Sequence, residues 1–188
     1  MKRIALLALT ASLGIPAFAA PETYVIEGTH TFPSFSYTHL GFSKQQSRFD
    51  KTTGKIIIDR AAKTGSLDVS IDTKSVNTGA EIFNGHLKGE DYFNVDKFPA
   101  ITFKSGTFKF EGDKLASING ELTIKGVTKP ATLAVASFNC APHPFTKKEM
   151  CGANASTTIK RSEFNAGKNV PAVSDEVTLN IVVEAIKE

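Results

Sequence analysis

Few side chains in this 188-residue chain could do chemistry, and they are scattered. Two histidines, His30 and His39, stand nine apart in THTFPSFSYTHLGF, a stretch rich in aromatic rings. In one continuous strand, residues nine apart point to opposite faces, so the pair could hold a metal only if the chain bent at Pro33. Phe35, Tyr37 and His39 share a face instead, with Ser34, Ser36 and Thr38 on the other. His39 therefore belongs to an aromatic row and lacks a visible catalytic partner; such a histidine is a hydrogen-bonded core residue or a ligand contact. His86 and Glu90 lie four apart on a predicted helix, a spacing that is more often a surface contact than a cation site. GxSxG, HExxH, CxxC and a glycine-rich phosphate loop are all absent from the sequence, and the chain is not expected to be an enzyme.

The remaining chemistry is sulfur. Cys140 and Cys151 enclose APHPFTKKEM, and in an exported chain a disulfide is the favoured reading. Zinc held by Cys140, His143 and Cys151 would lack a fourth ligand. Export is predicted because Lys2 and Arg3 precede an apolar run from Ile4 to Ile15, followed by Ala17-Phe18-Ala19 as a cleavage signature. The twelve-residue run is short of the roughly 20 needed to span a bilayer. Residues 1–19 are thus expected to be a signal peptide, 20–188 one domain, and no stable membrane anchor is expected. Losing Lys2 and Arg3 changes 22 basic against 19 acidic residues to 20 against 19. With its basic residues scattered, the chain offers no footprint for nucleic acid.

The elements that must position these residues are mostly strands. Leu67, Val69 and Ile71 alternate with Asp68, Ser70 and Asp72, and Val177, Leu179, Ile181 and Val183 alternate with mostly polar neighbours. Shorter candidates are 35–40, 55–59, 100–104, 108–110, 120–125, 131–138 and 155–161, giving about eight strands or more. Turn signals fall at Thr53-Gly54, Lys63-Thr64-Gly65, Glu111-Gly112-Asp113 and Lys125-Gly126-Val127-Thr128-Lys129-Pro130. The pattern predicts an all-β, antiparallel barrel or sandwich. One short helix is predicted near 79–88, with Thr78 and Glu81 as a capping box, Ile82, Phe83, His86 and Leu87 on its dry face, and Gly89 at its end. Beyond the leader the chain carries 13 Phe against 7 Leu and no Trp. Such rings serve equally as solid core or as the wall of a ligand cavity, and periodicity does not decide between them.

Four segments together resemble the YceI-like family of exported, lipocalin-like polyisoprenoid-binding proteins: THTFPSFSYTHLGFS, HLKGEDYFNVDKFPAITFKS, GELTIKGVTKPATL and FNAGKNVPAVSDEVTLNIVVEA. The resemblance runs from Tyr24 to about Ala185. It implies a lipocalin-like barrel around an apolar tunnel that binds an isoprenoid lipid, commonly quinone-like, in the periplasm for storage, shielding or transport. It implies no required cofactor, and homodimers are common among members. Matched onto this chain, the expected ligand-binding residues are Phe35, Tyr37, His39, Phe42, Phe83, His86, Leu87, Tyr92, Phe93, Ile101, Phe103, Leu122, Ile124, Leu133, Val135 and Phe164. A fatty acid or fatty amide is the alternative ligand, and an enzyme acting on such lipids the alternative class. The cysteine-closed loop departs from the family pattern; it is expected to protect an exposed tip, or else to narrow one barrel mouth.

Overall fold

A computed structural model describes residues 20–188; the predicted signal peptide, 1–19, lies outside them. Eleven strand segments form one antiparallel sheet: β1 (Glu22–Ile26), β2 (Ser34–His39), β3 (Ser43–Phe49), β4 (Thr52–Asp59), β5 (Thr64–Asp72), β6 (Val76–Asn77), β7 (Ala100–Glu111), β8 (Lys114–Ile124), β9 (Val127–Pro142), β10 (Glu149–Lys160) and β11 (Glu176–Lys187). Among the described residues a single α-helix, α1 (Glu81–Lys88), separates β6 from β7.

The segments make eight staves, because three staves are broken in the middle. β1 and β2 both lie along β11, with Tyr24 opposite Lys187 and Ser36 opposite Thr178. The detour between them is anchored by Thr31, whose hydroxyl donates to Glu184 O (3.2 Å) and accepts from Glu184 N (3.0 Å). A threonine thus supplies the hydrogen bonds that the interrupted ladder would have made. β3 and β4 form the second stave and β5 and β6 the third: Thr52 faces Ile71, and Phe49 faces Val76. β7 to β11 follow as consecutive neighbours, and β11 closes on β1. The result is a closed, eight-stranded, up-and-down antiparallel barrel.

Two close approaches explain glycines within strands. A Cβ on Gly54 would lie 2.4 Å from Asp68 O, and one on Gly120 would lie 2.4 Å from Lys104 O. Only glycine lets the neighbouring strands come so near. The turn expected at Thr53-Gly54 is therefore corrected, since Gly54 lies inside β4.

Other expectations also shift. The candidates at 100–104 and 108–110 merge into β7, whose register slips between Lys104 and Thr107. The helix begins two residues late: its N-cap is Ala80, with no side-chain cap, and the expected capping box does not form. Asn84 displaces it, because its Oδ1 accepts from Thr78 N (2.7 Å) while Thr78 Oγ1 accepts from Ala80 N (3.2 Å). Gly89 ends the helix as expected, but Ile82 is 89% exposed and off the dry face.

Candidate functional site

Inward alternation from every stave encloses a cavity of about 320 Å³, within the range of ~300–1,000 Å³ typical of small-molecule sites. β2 contributes Phe35, Tyr37 and His39, so the aromatic row read from parity faces inward. α1 adds Phe83, His86 and Leu87, and the loop after it adds Tyr92 and Phe93. Ile101 and Phe103 come from β7, Leu122 and Ile124 from β8, and Leu133 and Val135 from β9. Phe164 follows from the 3₁₀ turn after β10.

Phe42 is the exception. It sits on the turn after β2, 87% exposed and outside the cavity. Leu40 and Gly41 there adopt positive φ, which ends the inward row at His39. His30 is also outside, exposed and paired with Glu27 at 2.7 Å, so the two histidines occupy different settings.

The rings are packed as well as exposed to the cavity. Phe93 meets Phe35 and Phe49 edge-on, at centroid distances of 5.8 and 5.3 Å. His86 stacks on Phe83 at 5.9 Å and tilts against Tyr92 at 4.9 Å. These edge-to-face contacts fix the orientation of the wall.

Polar side chains gather at the helix end. Tyr92 Oη accepts from Asn169 Nδ2 (3.0 Å). Arg161 also lines the cavity and clamps the connection between β10 and β11. Its Nε donates to Ser174 O (2.9 Å), Nη1 to Ala166 O and Lys168 O (2.5 and 2.8 Å), and Nη2 to Val173 O (2.8 Å). Burial lowers the guanidinium pKa, while Tyr92, Asp175 and Tyr37 act to raise it. Burial likewise pushes the Tyr37 phenol up.

At the opposite end a cluster of charged side chains surrounds Tyr24, drawn from the start of β1, the residue after β4, the start of β10 and the end of β11. Arg60 donates to Glu22 (2.5 Å) and Glu149 (2.7 Å), and the hydroxyl of Tyr24, 1% exposed, lies within hydrogen-bond reach of both carboxylates, with one proton to donate to either. Hydrogen bonds from Lys187 and then Arg60 hold the Glu22 carboxyl down at about 2. Burial, followed by the Glu149 hydrogen bond, raises the Tyr24 phenol.

Beside this network Cys140 and Cys151 form a disulfide, S–S 2.02 Å, which uses the sulfurs that the zinc alternative required. Cys151 is buried and lines the cavity, so the bridge is part of the wall and the tip of the hairpin extends beyond it. Sequence reading missed Tyr24, Ile56 and Ile58, although alternation could have found them. Nothing in the sequence marks Arg161, whose partners are backbone carbonyls.

Among the described residues no helix is long and apolar enough to cross a membrane. A family model for the YceI-like domain matches residues 24–185. Protein YceI of Salmonella arizonae and that of Salmonella paratyphi B are each 36% identical over 173 residues, covering 92% of this chain and 90% of the relative. Among solved structures, Burkholderia cenocepacia BcnA is similar at a TM-score of 0.68 and 26% identity, covering 82% of this chain and 95% of that one. The Campylobacter jejuni YCEI protein is similar at 0.69 and 26%, covering 100% and 99%. A polyisoprenoid binding domain from Saccharophagus degradans shares the fold at 0.65 with 18% identity, covering 88% and 98%. With a family match over nearly every described residue, on a barrel whose interior is an apolar cavity, the chain belongs to the family of YceI-like domains.

Proposed function

We propose that this protein is a periplasmic carrier that takes an isoprenoid lipid into its barrel and stores, shields or ferries it without covalent chemistry. The observation that carries the reading is the cavity: a closed barrel whose interior side chains are overwhelmingly aliphatic and aromatic. The shared fold of a domain described as polyisoprenoid binding supports the ligand class. Burial supplies the driving force. An isoprenoid tail exposes several hundred Å² to water, and at ~25 cal/mol per Å² its transfer gains on the order of 10 kcal/mol before ordering costs. A methylated, unsaturated chain asks for no hydrogen bonds and suits aromatic walls. No cofactor is required, and a quinone is a fitting cargo. Export through a cleaved leader at 1–19 and a homodimeric state belong to the same reading.

Organic extraction of protein purified from its native host, followed by mass spectrometry, tests the proposal. One isoprenoid per chain is expected. Repeated preparations without lipid would overturn the carrier reading, and conversion of a recovered lipid over time would make the protein an enzyme. Cell fractionation and light scattering check compartment and oligomeric state.

A further inference from the structure

The tip of the β9–β10 hairpin contributes nothing to the cavity. β9 ends at Pro142 and β10 starts at Glu149, so the tip is His143 to Lys148. Phe145 stands there 87% exposed, beside exposed Pro144 and ahead of Lys147 and Lys148, which are exposed as well. A lone exposed ring is ordinary on a protein surface. This one adds a fixed pose and unmatched charge.

The pose is set by backbone hydrogen bonds around one imidazole. His143 N donates to Lys148 O (2.8 Å) and Lys147 N donates to His143 O (2.9 Å), which closes the base of the turn. Within it, His143 Nδ1 accepts from Phe145 N (3.3 Å) and Thr146 N (3.2 Å). The rings of His143 and Phe145 lie 5.7 Å apart. Below them the Cys140–Cys151 bridge clamps the two strands. Phe145 is thus displayed on backbone that is already ordered, so contact with a partner costs little further ordering.

The charge is one-sided. Among the described residues no carboxylate pairs with Lys147 or Lys148, and Glu149, the one acid between the cysteines, is held by Arg60 at 2.7 Å. The Lys147 ammonium reaches only the carbonyl of Pro144 (2.8 Å).

We propose that this tip docks on an anionic bilayer surface, with Phe145 entering the headgroup layer and Lys147 and Lys148 lying against lipid phosphates. Apolar area joined to nearby ammonium groups is the combination by which proteins hold to such surfaces. A tip of this size is too small for the roughly 800 Å² per partner of a stable protein interface, whereas a reversible membrane contact needs no such area. Phe42 at the opposite end is equally exposed, but Lys44 is the only lysine within three residues of it. The inference goes beyond the carrier reading, because it concerns where the protein touches a membrane and not what the cavity holds.

The sequence contains no Trp, so Phe145→Trp and Phe42→Trp each place a single fluorescent reporter at one end of the barrel. Purified protein is mixed with vesicles of equimolar phosphatidylglycerol and phosphatidylcholine, and with vesicles of phosphatidylcholine alone. On the anionic vesicles the Phe145→Trp emission should move to shorter wavelength and be quenched by brominated acyl chains, while the Phe42→Trp emission stays in place. In co-sedimentation, Lys147→Gln with Lys148→Gln should lower partitioning roughly twentyfold, each lysine being worth about fivefold at an anionic surface. Lys147→Arg with Lys148→Arg should keep it. Phe145→Ser should lower it about tenfold, and Phe145→Leu far less. Matching thermal midpoints in all variants show that the barrel is intact. No binding to the anionic vesicles, equal binding to phosphatidylcholine, unchanged partitioning in the lysine and serine variants, or a shift confined to Phe42→Trp would each overturn the proposal. Tighter binding to soluble poly-glutamate than to the vesicles would overturn it in favour of an acidic protein partner. The lipid recovered by extraction is the same under every one of these results, so the carrier reading stands or falls separately.

Discussion

Cys140 and Cys151 face one another in register across β9 and β10, with Cα atoms 4.0 Å apart, and Cys151 turns its side chain to the cavity. The cross-link is therefore a piece of barrel wall as well as a hairpin clamp. Closing a loop with a separation of 11 residues restricts the unfolded chain. The chain-entropy model puts this at about 3 kcal/mol. Cys140→Ala with Cys151→Ala should lose about 2–4 kcal/mol in urea unfolding, and a loss under ~0.5 kcal/mol would show that the bridge adds nothing to the paired strands.

Glu22 makes the end of the barrel beside the disulfide sensitive to acid. Its carboxyl is held at about 2 against an ordinary 4.5, first by Lys187 and then by Arg60. A depressed pKa means the native state favours the ionised form, so this stability is fully present above about 4.5 and disappears as pH falls toward 2. Chemical unfolding at pH 7 and pH 3 should show a clear drop in wild type. In Glu22→Gln the drop should shrink; an unchanged pH dependence would assign acid sensitivity elsewhere.

Arg161 holds the connection between β10 and β11 by four donors to four backbone carbonyls. Lysine keeps the charge but offers no planar fork to reach all of them. Arg161→Lys should cost about 2–3 kcal/mol, as buried carbonyls lose partners. Hydrogen exchange should rise selectively over 165–174. Exchange that rises uniformly would mean global destabilisation instead of a lost clamp.

Gly54 on β4 lies against β5, and an added Cβ would meet its backbone at 2.4 and 2.9 Å. Backbone cannot step aside as a flexible side chain can. Gly54→Ala is expected to cost about 1–3 kcal/mol despite alanine's lower unfolded-state entropy. A thermal midpoint equal to wild type would show that the staves separate without cost.

The alternation of β5 and β11, the single helix and the inward row of β2 were legible because each follows a simple periodicity. The broken staves were not. β3 reads SKQQSRF, and only Ser47 and Phe49 on it are buried, so its sequence looks like a loop. β1 and β2 belong to one stave through Thr31 bonding Glu184, a pairing across 153 residues that no local pattern carries. Phe42 was expected from the family resemblance alone, at the turn after the strand, and the positive φ angles at Leu40 and Gly41 turn the chain so that it lies 87% exposed. Ile56, Ile57 and Ile58 are the same residue type, and only the parity that Ile57 shares with Lys55 and Asp59 marks it as the outward one, 41% exposed, while Ile56 and Ile58 line the cavity. Arg161 was invisible because its role is to satisfy carbonyls placed by a distant fold.

Ala155 on β10 lines the cavity between Val135 and Ile181 on the neighbouring staves, so a larger residue there would project into the cavity. Overpacking a solid core costs ~1–3 kcal/mol, whereas filling a void adds apolar contacts without that strain. Ala155→Phe therefore separates the two readings of the phenylalanine-rich interior. If the cavity holds lipid, the variant should keep or raise its thermal midpoint and lose bound isoprenoid at least tenfold by extraction and mass spectrometry. If the interior is in effect a packed core, the variant should be destabilised by ~1–3 kcal/mol. Lipid occupancy that stays at the wild-type level in a stable variant would place the cargo outside this cavity.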